Sequence, residues 1–548
     1  MRVLRVSGIK LTLDENEELL KAKAAAILDI SVDDIAAVEI IRKAIDARRN
    51  KPPHFVYVLK IHIHSDIKLP VELPVEFKEG FQLLEIKDQP EIPMMRQASS
   101  PKLPVVVIGS GPAGLFAAYI LAQRGIPALL LERGTPVEKR TKDVEEFWKK
   151  GILNFQSNVF FGEGGAGTFS DGKLTNRTNS PYSLWVKQIL IKMGAPPEIL
   201  TDAKPHIGTD KLRRVIVNLR KSLIDTGCRI EFEAHATDFL IRQGSIAAVI
   251  VNDKEEVKTH HVILAIGQSA DDTYAKLLER GVQMEAKPYA MGLRVEHPQE
   301  LINSIQYGKW HNHRQLPPAE YFVKASIPDL GRSVYTFCMC PGGSVIGCGA
   351  FAGFVITNGM SNARRSGEFA NSAIVVNVNV DDFNSDKHPL CGLNYRKVWE
   401  GKAYRAGGSN YSAPAQKMMD FLQGKTGGIM GRTSFLPGVN PAALQELLPE
   451  FIIQSLKRGI REFDKKMPGF ITQDAHLIGV ETRTSSPVRI CRRSDGQSES
   501  IRGLYPCGEG AGYAGGIISS ALDGIKAAQN LMDNLNETAV DNNIISAP

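Results

Sequence analysis

The sequence predicts an α/β protein in which a parallel sheet, flanked by helices, carries an inserted mainly-β or α+β domain and follows a small α+β domain. The chain has 548 residues, enough for several domains. Of its 49 glycines, all but Gly8 and Gly80 follow residue 100. A fully apolar run, Pro104–Ile108, leads directly into a glycine-rich turn, as expected of a buried parallel strand. The glycine asymmetry predicts an ordinary front end and a body whose backbone closely approaches another group.

Composition excludes several classes of protein. Hydrophobic residues make up 43% and charged residues 23% of the chain, which is typical of a folded globular protein. The net charge of +6 is small for this length, so we expect no nucleic-acid partner. The two long uncharged windows, Leu103–Gln123 and Ser333–Ala363, are broken by glycine and proline, so we expect no transmembrane segment. The sequence gives no indication of the oligomeric state.

The cysteines and the first residues predict a compartment. Seven cysteines are an odd number on a long chain, which favours free thiols in a reducing environment. Residues Met1–Lys10 lack the apolar core of a secretory signal. We therefore expect a cytoplasmic protein. No histidine or acid completes a zinc-like set with the cysteines, so no metal site is predicted.

Residues 1–95 are predicted to form a separate small domain. Three stretches have the pattern of strands and one the pattern of a helix: Val3–Leu13, Val38–Ala47 and Phe55–His64, and the helical Glu15–Leu28. The proline-containing segment Glu91–Pro104 is the best candidate for a linker to the body. These elements predict a small sheet with one or two packed helices, similar to a ferredoxin-like half-sheet.

A dinucleotide-binding fingerprint begins at the first apolar strand of the body. Gly109 permits a tight turn, Gly111 lets the backbone approach a pyrophosphate, and Gly114 lets the following helix pack closely on the strand. A second apolar run, Ala128–Leu131, ends in Glu132, which is placed to accept hydrogen bonds from ribose hydroxyls. Strand, helix and acid in this order make the prediction specific.

The fingerprint does not separate FAD from NAD, but longer stretches resemble one superfamily. Val105–Gly114 with Leu131–Gly134, His261–Gly267 and Gly503–Glu509 resemble the FAD-binding segments of glutathione-reductase-type flavoproteins. The resemblance implies that Glu509 contacts the ribityl and pyrophosphate part of FAD. It also implies that the helix after Gly516 points its N-terminus at the flavin, where the helix dipole favours negative charge.

The resemblance extends over nearly the whole chain to one bacterial family, usually described as FAD-dependent dehydrogenases or oxidoreductases. The stretches that carry it are Phe161–Leu174, Pro205–Asp210, Phe337–Gly343, Glu481–Arg489 and Cys507–Gly516. It implies FAD and redox chemistry but names no substrate. The predicted cofactor-binding residues are Gly109, Gly111, Pro112, Ala113, Gly114, Glu132, Arg133, Arg140, Gly164, Gly165, Gly167, Ala265, Gly267, Gly508, Glu509, Gly515, Gly516 and Ile517.

A second glycine-rich run, Gly162–Gly167, also has the Gly-x-Gly-x-x-Gly spacing. No helix pattern and no strand ending in an acid follow it, so it is interpreted as a loop that lies against FAD and not as a second nucleotide site. No other NAD(P) fingerprint is present, so NAD(P)H is expected only as a transient reductant.

Four residues are candidates for catalysis. Cys338 and Cys340, on a predicted strand, would point the same way, and a thiol near a flavin can be a nucleophile or redox partner; buried, inert thiols are the alternative. Arg483 can bind a carboxylate or phosphate, or hold a turn by a salt bridge. Lys173 can approach the flavin or lie at the surface.

The predicted plan is discontinuous. The FAD-binding domain takes residues 100–285 and returns at 466–540, with a cap or substrate domain at 286–465 between the two parts. Flavin N5 is expected to exchange hydride or electrons with an unidentified small-molecule substrate, with a possible separate electron-transfer partner. The alternatives are a flavin-binding sensor or interaction protein without turnover, and an RNA-modifying flavoenzyme.

Overall fold

A computed structural model describes residues 1–48, 51–67, 82–85, 99–176, 178, 180–383, 388–426 and 428–545. Its N-terminal elements are β1 (Arg2–Thr12), α1 (Leu19–Leu28), β2 (Ile35–Asp46), β3 (His54–Ile63) and β4 (Gln82–Glu85). They form an antiparallel sheet in the order β2-β3-β1-β4, with α1 packed against its apolar face. Alternate residues of β3 are buried, as the sequence predicted. The part of the predicted linker up to residue 98 lies outside the described residues.

Residues 99–286 begin the parallel sheet. The elements are β5 (Val105–Ile108), α2 (Pro112–Gln123), β6 (Ala128–Leu131), α3 (Val137–Lys150), α4 (Tyr182–Lys192), α5 (Thr209–Asp225), β7 (Arg229–Glu231), β8 (Ala236–Arg242), β9 (Ser245–Val251), β10 (Glu255–Lys258), β11 (Val262–Leu264), α6 (Asp271–Glu279) and β12 (Met284–Ala286). The central strands β5, β6 and β11 are fully buried because apolar side chains occupy both faces.

Residues 289–481 build a second, larger sheet. Its elements are β13 (Tyr289–Pro298), α7 (Gln299–Tyr307), β14 (Lys324–Ile327), β15 (Arg332–Cys348), β16 (Ile356–Ser361), β17 (Phe369–Val378), α8 (Cys391–Ala406), β18 (Ala413–Lys417), α9 (Met418–Gln423), β19 (Val439–Pro441), α10 (Glu450–Lys466) and β20 (His476–Glu481). The order is β14-β15-β17-β13-β20-β18-β19, and β16 pairs with β15. Helix α10 buries its apolar face against this sheet.

The chain then returns to the first sheet through β21 (Val488–Ile490), β22 (Leu504–Pro506) and α11 (Ile517–Ile545). Strand β22 completes the parallel order β22-β11-β5-β6-β7, and β21 pairs with β12. The predicted return at residue 466 is too early, because β20 pairs with β13 and β18 in the large sheet. No helix among the described residues combines the length and apolar character needed to cross a bilayer.

Candidate active site

A cavity of about 580 Å³ lies where the carboxyl ends of the parallel strands face the large sheet. Its first wall is made by residues that follow β5, β6, β11 and β22, and its second wall by residues of β15, β16 and β20. Ligands of doubly wound sheets bind outside the carboxyl ends of the strands. The first wall is therefore where this fold places a dinucleotide.

Three glycines shape the turn between β5 and α2. Gly109 has a φ of +97°, and a Cβ on it would lie 2.4 Å from the carbonyl oxygen of Ala265. A Cβ on Gly114 would lie 1.8 Å from the carbonyl oxygen of Gly109, so Gly114 serves the helix packing that the fingerprint predicts. Although it is also among the predicted cofactor-binding residues, it does not line the cavity. At Gly111 the nearest atom to a Cβ would be the Cα of Gly165, at 3.8 Å. Gly111 therefore presents open backbone to the cavity.

Glu132 joins this turn to the second glycine-rich loop. The side chain is buried, and one carboxylate oxygen accepts from Ser110 N at 2.9 Å and Oγ at 2.6 Å. The other oxygen accepts from Gly134 N and Gly162 N, each at 2.9 Å. Glu132 and Arg133, both predicted to bind the cofactor, line the cavity. The carboxylate thus fixes two loops at the border of the cavity.

Arg140 supports the second glycine-rich loop from behind. It is fully buried, and its guanidinium donates, at 2.6–3.1 Å, to five backbone carbonyl oxygens: those of Asn158, Val159, Gly162, Glu163 and Gly165. Arg140 is among the predicted cofactor-binding residues, but it does not line the cavity, and its contacts give it a loop-shaping role instead. Gly164 is also turned away, because a Cβ on it would lie 2.3 Å from Ile216 Cδ1.

Glu509 and the start of α11 close the first wall. Burial raises the pKa of Glu509 to about 7, and its Oε1 accepts from Gln268 Nε2 at 3.0 Å. A Cβ on Gly515 would meet no atom within 4 Å, so the backbone before α11 also faces open space. The predicted cofactor residues that line the cavity are Gly109, Gly111, Pro112, Ala113, Glu132, Arg133, Gly165, Gly167, Ala265, Gly267, Gly508, Glu509, Gly515, Gly516 and Ile517.

On the second wall, β15 is irregular at its two cysteines. The register of β15 with β17 shifts between Phe337 and Cys340, and Cys338 has a left-handed φ of +47°. The expectation that both thiols point the same way is therefore wrong. Cys338 lines the cavity, whereas Cys340 is fully buried and outside the lining. Lys173 also lines the cavity and donates its Nζ hydrogen to the carbonyl oxygen of Met339.

A buried arginine organises the residues behind these thiols. Arg294 Nη1 lies 3.0 Å from Glu481 Oε1, its Nε donates to Asn371 Oδ1 at 2.9 Å, and its Nη2 donates to the carbonyl oxygen of Cys338 at 2.8 Å. Burial raises the pKa of Glu481 to about 7, although Arg294 opposes that shift. Sequence reasoning missed Arg294; its signal was a charged residue between the apolar Leu293 and Val295 in strand β13.

Arg483 is held by a carboxylate and is not free to bind an anion with its whole fork. Its Nε and Nη2 donate to Glu400 at 3.1 and 3.0 Å, and its guanidinium lies 5.0 Å from the Phe160 ring centroid. The remaining nitrogen, Nη1, is buried and has no hydrogen-bond partner within the described residues. Of the two sequence interpretations, the structural salt bridge is present. Within those residues no group of side chains suits a metal ion.

The first wall fits FAD. Its open glycine backbone, at Gly111 and Gly515, leaves room for a group that contacts main-chain N–H donors. The helices α2 and α11 both begin at this wall, where their dipoles favour negative charge on a bound dinucleotide. The half-buried Glu509 carboxylate lines the cavity and can accept hydrogen bonds from hydroxyls. These features match a dinucleotide with a charged centre and a polyhydroxyl arm.

Comparisons with known proteins agree with this fit. Residues 288–484 match a family described as "FAD-dependent protein, C-terminal domain-like", residues 102–144 match an FAD binding domain, and residues 4–62 match a domain of unknown function. A protein of Clostridium beijerinckii, described as uncharacterised, is 41% identical over 535 residues, which cover 97% of this chain and 98% of the relative.

Solved structures are similar to this chain only with low TM-scores and low sequence identity. Glycine oxidase from Bacillus cereus has a TM-score of 0.33 and 12% identity, covering 79% of this chain and 95% of that one. Glycerol-3-phosphate dehydrogenase from Bacillus halodurans, complexed with FAD, has a TM-score of 0.35 and 11% identity, covering 81% and 66%. These scores are too low to assign a substrate. On the family matches and the Clostridium relative, the chain belongs to a family of FAD-dependent proteins, and FAD is its cofactor.

Proposed function

We propose that the protein is an FAD-dependent oxidoreductase that transfers hydride or electrons to or from a small-molecule substrate. One observation carries the proposal: a single cavity joins the dinucleotide fingerprint to a second wall of ionisable and thiol side chains. A protein that only stored the cofactor would have no use for Cys338, Lys173 and Glu481 in the same cavity. Their chemistry favours turnover over a sensor without catalysis.

The chain's own residues would hold FAD along the first wall. The backbone of Gly109 and Gly111 and the N-terminus of α2 face the pyrophosphate, and Glu132 faces the adenosine ribose. Glu509 and the N-terminus of α11 take the ribityl and flavin end. When bound, FAD supplies reversible two-electron redox chemistry at its ring. Bound in this orientation, FAD would place its flavin ring against the second wall.

The second wall would bind and orient the substrate. Lys173 supplies a positive charge whose position is fixed by its bond to the Met339 carbonyl. Glu481, with its pKa raised to about 7 by burial, can hold or release a proton near neutral pH. At the mouth, Phe322 is 68% exposed and Phe337 38% exposed, so an apolar part of a substrate can bind between them and exclude water.

The physiological reductant or oxidant is proposed to bind transiently. The sequence holds no second strand-helix-acid fingerprint for a nicotinamide dinucleotide. NAD(P)H would therefore use the same cavity mouth as the substrate, or a separate electron-transfer partner would take its place. A competition between NADH and substrate at the mouth is expected in the first case.

The test is to purify the full chain and ask whether it carries FAD that a reductant can reduce. We expect a yellow protein that releases FAD on denaturation, and flavin bleaching when NADH, NADPH or a panel of dehydrogenase substrates is mixed with it anaerobically. The variant Glu509→Gln should bind FAD more weakly than the wild-type protein. Protein with FAD that no donor in the panel reduces would count against turnover and favour a sensor.

A further inference from the structure

The two cysteines of the second wall are unequal in a way that the proposed function leaves unexplained. Cys338 lines the cavity and is half-buried, whereas Cys340, two residues later, is fully buried. The Cys340 thiol lies 3.3 Å from the carbonyl oxygen of Cys338. One thiol thus borders the cavity, and the second is buried beside the backbone of the first.

The backbone between them is held in an unusual shape. Cys338 is one of the few described non-glycine residues with a left-handed φ, and it sits in a β-bulge at the cavity. Such conformations cost of order 1–3 kcal/mol and are found where the surrounding structure enforces them, often at functional sites. Here the enforcing group is Arg294, which binds the carbonyl oxygen of Cys338 and lies 3.7 Å from Cys340 Sγ.

Charges nearby act on the two thiols in opposite senses. The hydrogen bond with Cys340, helped by Lys173 and Arg294, lowers the pKa of Cys338, while the same bond and burial raise the pKa of Cys340. Thiol–disulfide exchange needs this asymmetry: an accessible thiolate that attacks and a neighbouring thiol that resolves the mixed disulfide.

We propose that Cys338 and Cys340 are a redox-active pair that carries electrons between FAD and a substrate disulfide or dithiol bound at the cavity mouth. The inference rests on the proposed function, because it makes the pair the route from the flavin to the substrate. The exposed rings of Phe322 and Phe337 at the mouth favour a substrate with an apolar body.

In the reducing direction the exchange balances in two displacements. The Cys338 thiolate attacks one sulfur of a substrate disulfide RSSR′, a mixed disulfide forms, and R′S⁻ leaves and takes a proton from solvent. Cys340 then attacks the Cys338 sulfur; the Cys340 proton passes to the departing RS⁻, and a Cys338–Cys340 disulfide closes. Two electrons and two protons, with reduced FAD as the source, return that disulfide to two thiols.

The first test counts electrons in the FAD-loaded full chain. Air-oxidised protein is freed of oxygen and titrated with dithionite while the flavin spectrum is followed. We expect wild-type protein to take up two electrons per FAD more than Cys338→Ser or Cys340→Ser. Cys491→Ser, which removes a thiol outside the cavity, should keep the extra uptake. Equal uptake in wild type and both pair variants would overturn the proposal.

The second test traps the exchange without using the flavin. Reduced protein is mixed with dithiobis(nitrobenzoate), an aromatic disulfide, and its peptides are mapped by mass. Wild type should end with a Cys338–Cys340 disulfide and no adduct, and Cys340→Ser should retain a mixed disulfide on Cys338. If Cys340→Ser carries no adduct there, or wild type forms no internal disulfide, the pair is not redox-active.

These readouts separate the two proposals. If the pair passes both tests but no donor or substrate exchanges electrons with the flavin, the oxidoreductase proposal and the route through the flavin fail, and only the thiol–disulfide exchange of the pair stands. If the flavin turns over while electron uptake and trapping show no pair, the thiol proposal alone fails. Cys340→Ala replaces Cys340→Ser if thermal unfolding shows that the serine variant does not fold.

Discussion

Two fully buried arginines, one behind each wall of the cavity, bind different kinds of partner. Arg140 donates only to backbone carbonyl oxygens of the second glycine-rich loop among the partners described. Arg294 binds three side chains, Glu481, Asn371 and Cys340, and one carbonyl, that of Cys338. The first wall is therefore formed mainly by main-chain groups, and the second wall is formed by side chains held in fixed positions. In the proposed function, recognition of the cofactor by backbone is therefore separated from the side chains that would bind and react with a substrate.

The largest effect expected from this contrast is at Arg140. Arg140→Leu would leave several buried carbonyl oxygens without a donor, so we expect a loss of about 4 kcal/mol in the free energy of unfolding together with loss of bound FAD. Denaturant unfolding and FAD content measure the two effects. Arg124→Leu, at the end of α2, is the control and should change neither. A variant at 140 that is stable but cannot hold FAD would instead place Arg140 in the cofactor wall.

The glycines of the first wall give the next largest effect. In Gly114→Ala the new Cβ would lie 1.8 Å from a backbone oxygen, so α2 must shift from β5 and we expect about 3 kcal/mol of destabilisation. Gly111→Ala has room in the protein, so it should fold normally and lose FAD affinity. Thermal unfolding of both apoproteins and FAD titration distinguish packing from binding. Equal melting temperatures would mean that the two glycines share one role.

A carboxylate of the large sheet should make stability depend on pH. Burial raises the pKa of Glu296 from its ordinary 4.5 to about 7, against the hydrogen bond from Ser434 N at 3.0 Å. The folded state holds this proton more tightly than the unfolded chain. The stability it contributes is therefore complete below pH 4.5 and is lost as the pH rises through 7.

Glu296→Gln should remove that loss. We expect the melting temperature of the variant, relative to wild type, to rise between pH 5 and pH 8. Glu146→Gln on the exposed face of α3 serves as the control and should show no such trend. A difference that is constant with pH would mean that Glu296 stays ionised throughout.

The smallest effect on stability is expected at the mouth. Phe322 is 68% exposed, so Phe322→Ala should change the free energy of unfolding by no more than about 0.5 kcal/mol and leave FAD content unchanged. Its effect should appear as weaker binding of an aromatic disulfide, with slower reaction at Cys338. Unfolding curves and the rate of nitrothiobenzoate release measure the two. A loss of FAD in this variant would mean that the mouth belongs to the first wall.

Local motifs made one wall predictable and the other not. Gly109, Gly111 and Glu132 lie within about twenty-five consecutive residues, so their spacing alone predicted the turn, the helix and the acid. Arg140 lies in the same stretch, yet its target is a loop folded back from residues 158–165, and the sequence pattern could not show which side of that loop it supports. The resemblance correctly implied FAD but assigned Arg140 to the wrong surface.

The sequence by itself determined a dinucleotide site, because backbone recognition of a dinucleotide needs glycines at fixed local spacing. That the dinucleotide is FAD was implied by the resemblance to glutathione-reductase-type flavoproteins. Only the tertiary structure showed which side chains form the second wall. Cys338, Arg294 and Glu481 come from three strands far apart in the chain, and their contacts depend on the order β15-β17-β13-β20. The bulge that turns one thiol toward the cavity and leaves the other buried is a matter of strand register. Register is set by pairing partners, which no local pattern in β15 specifies.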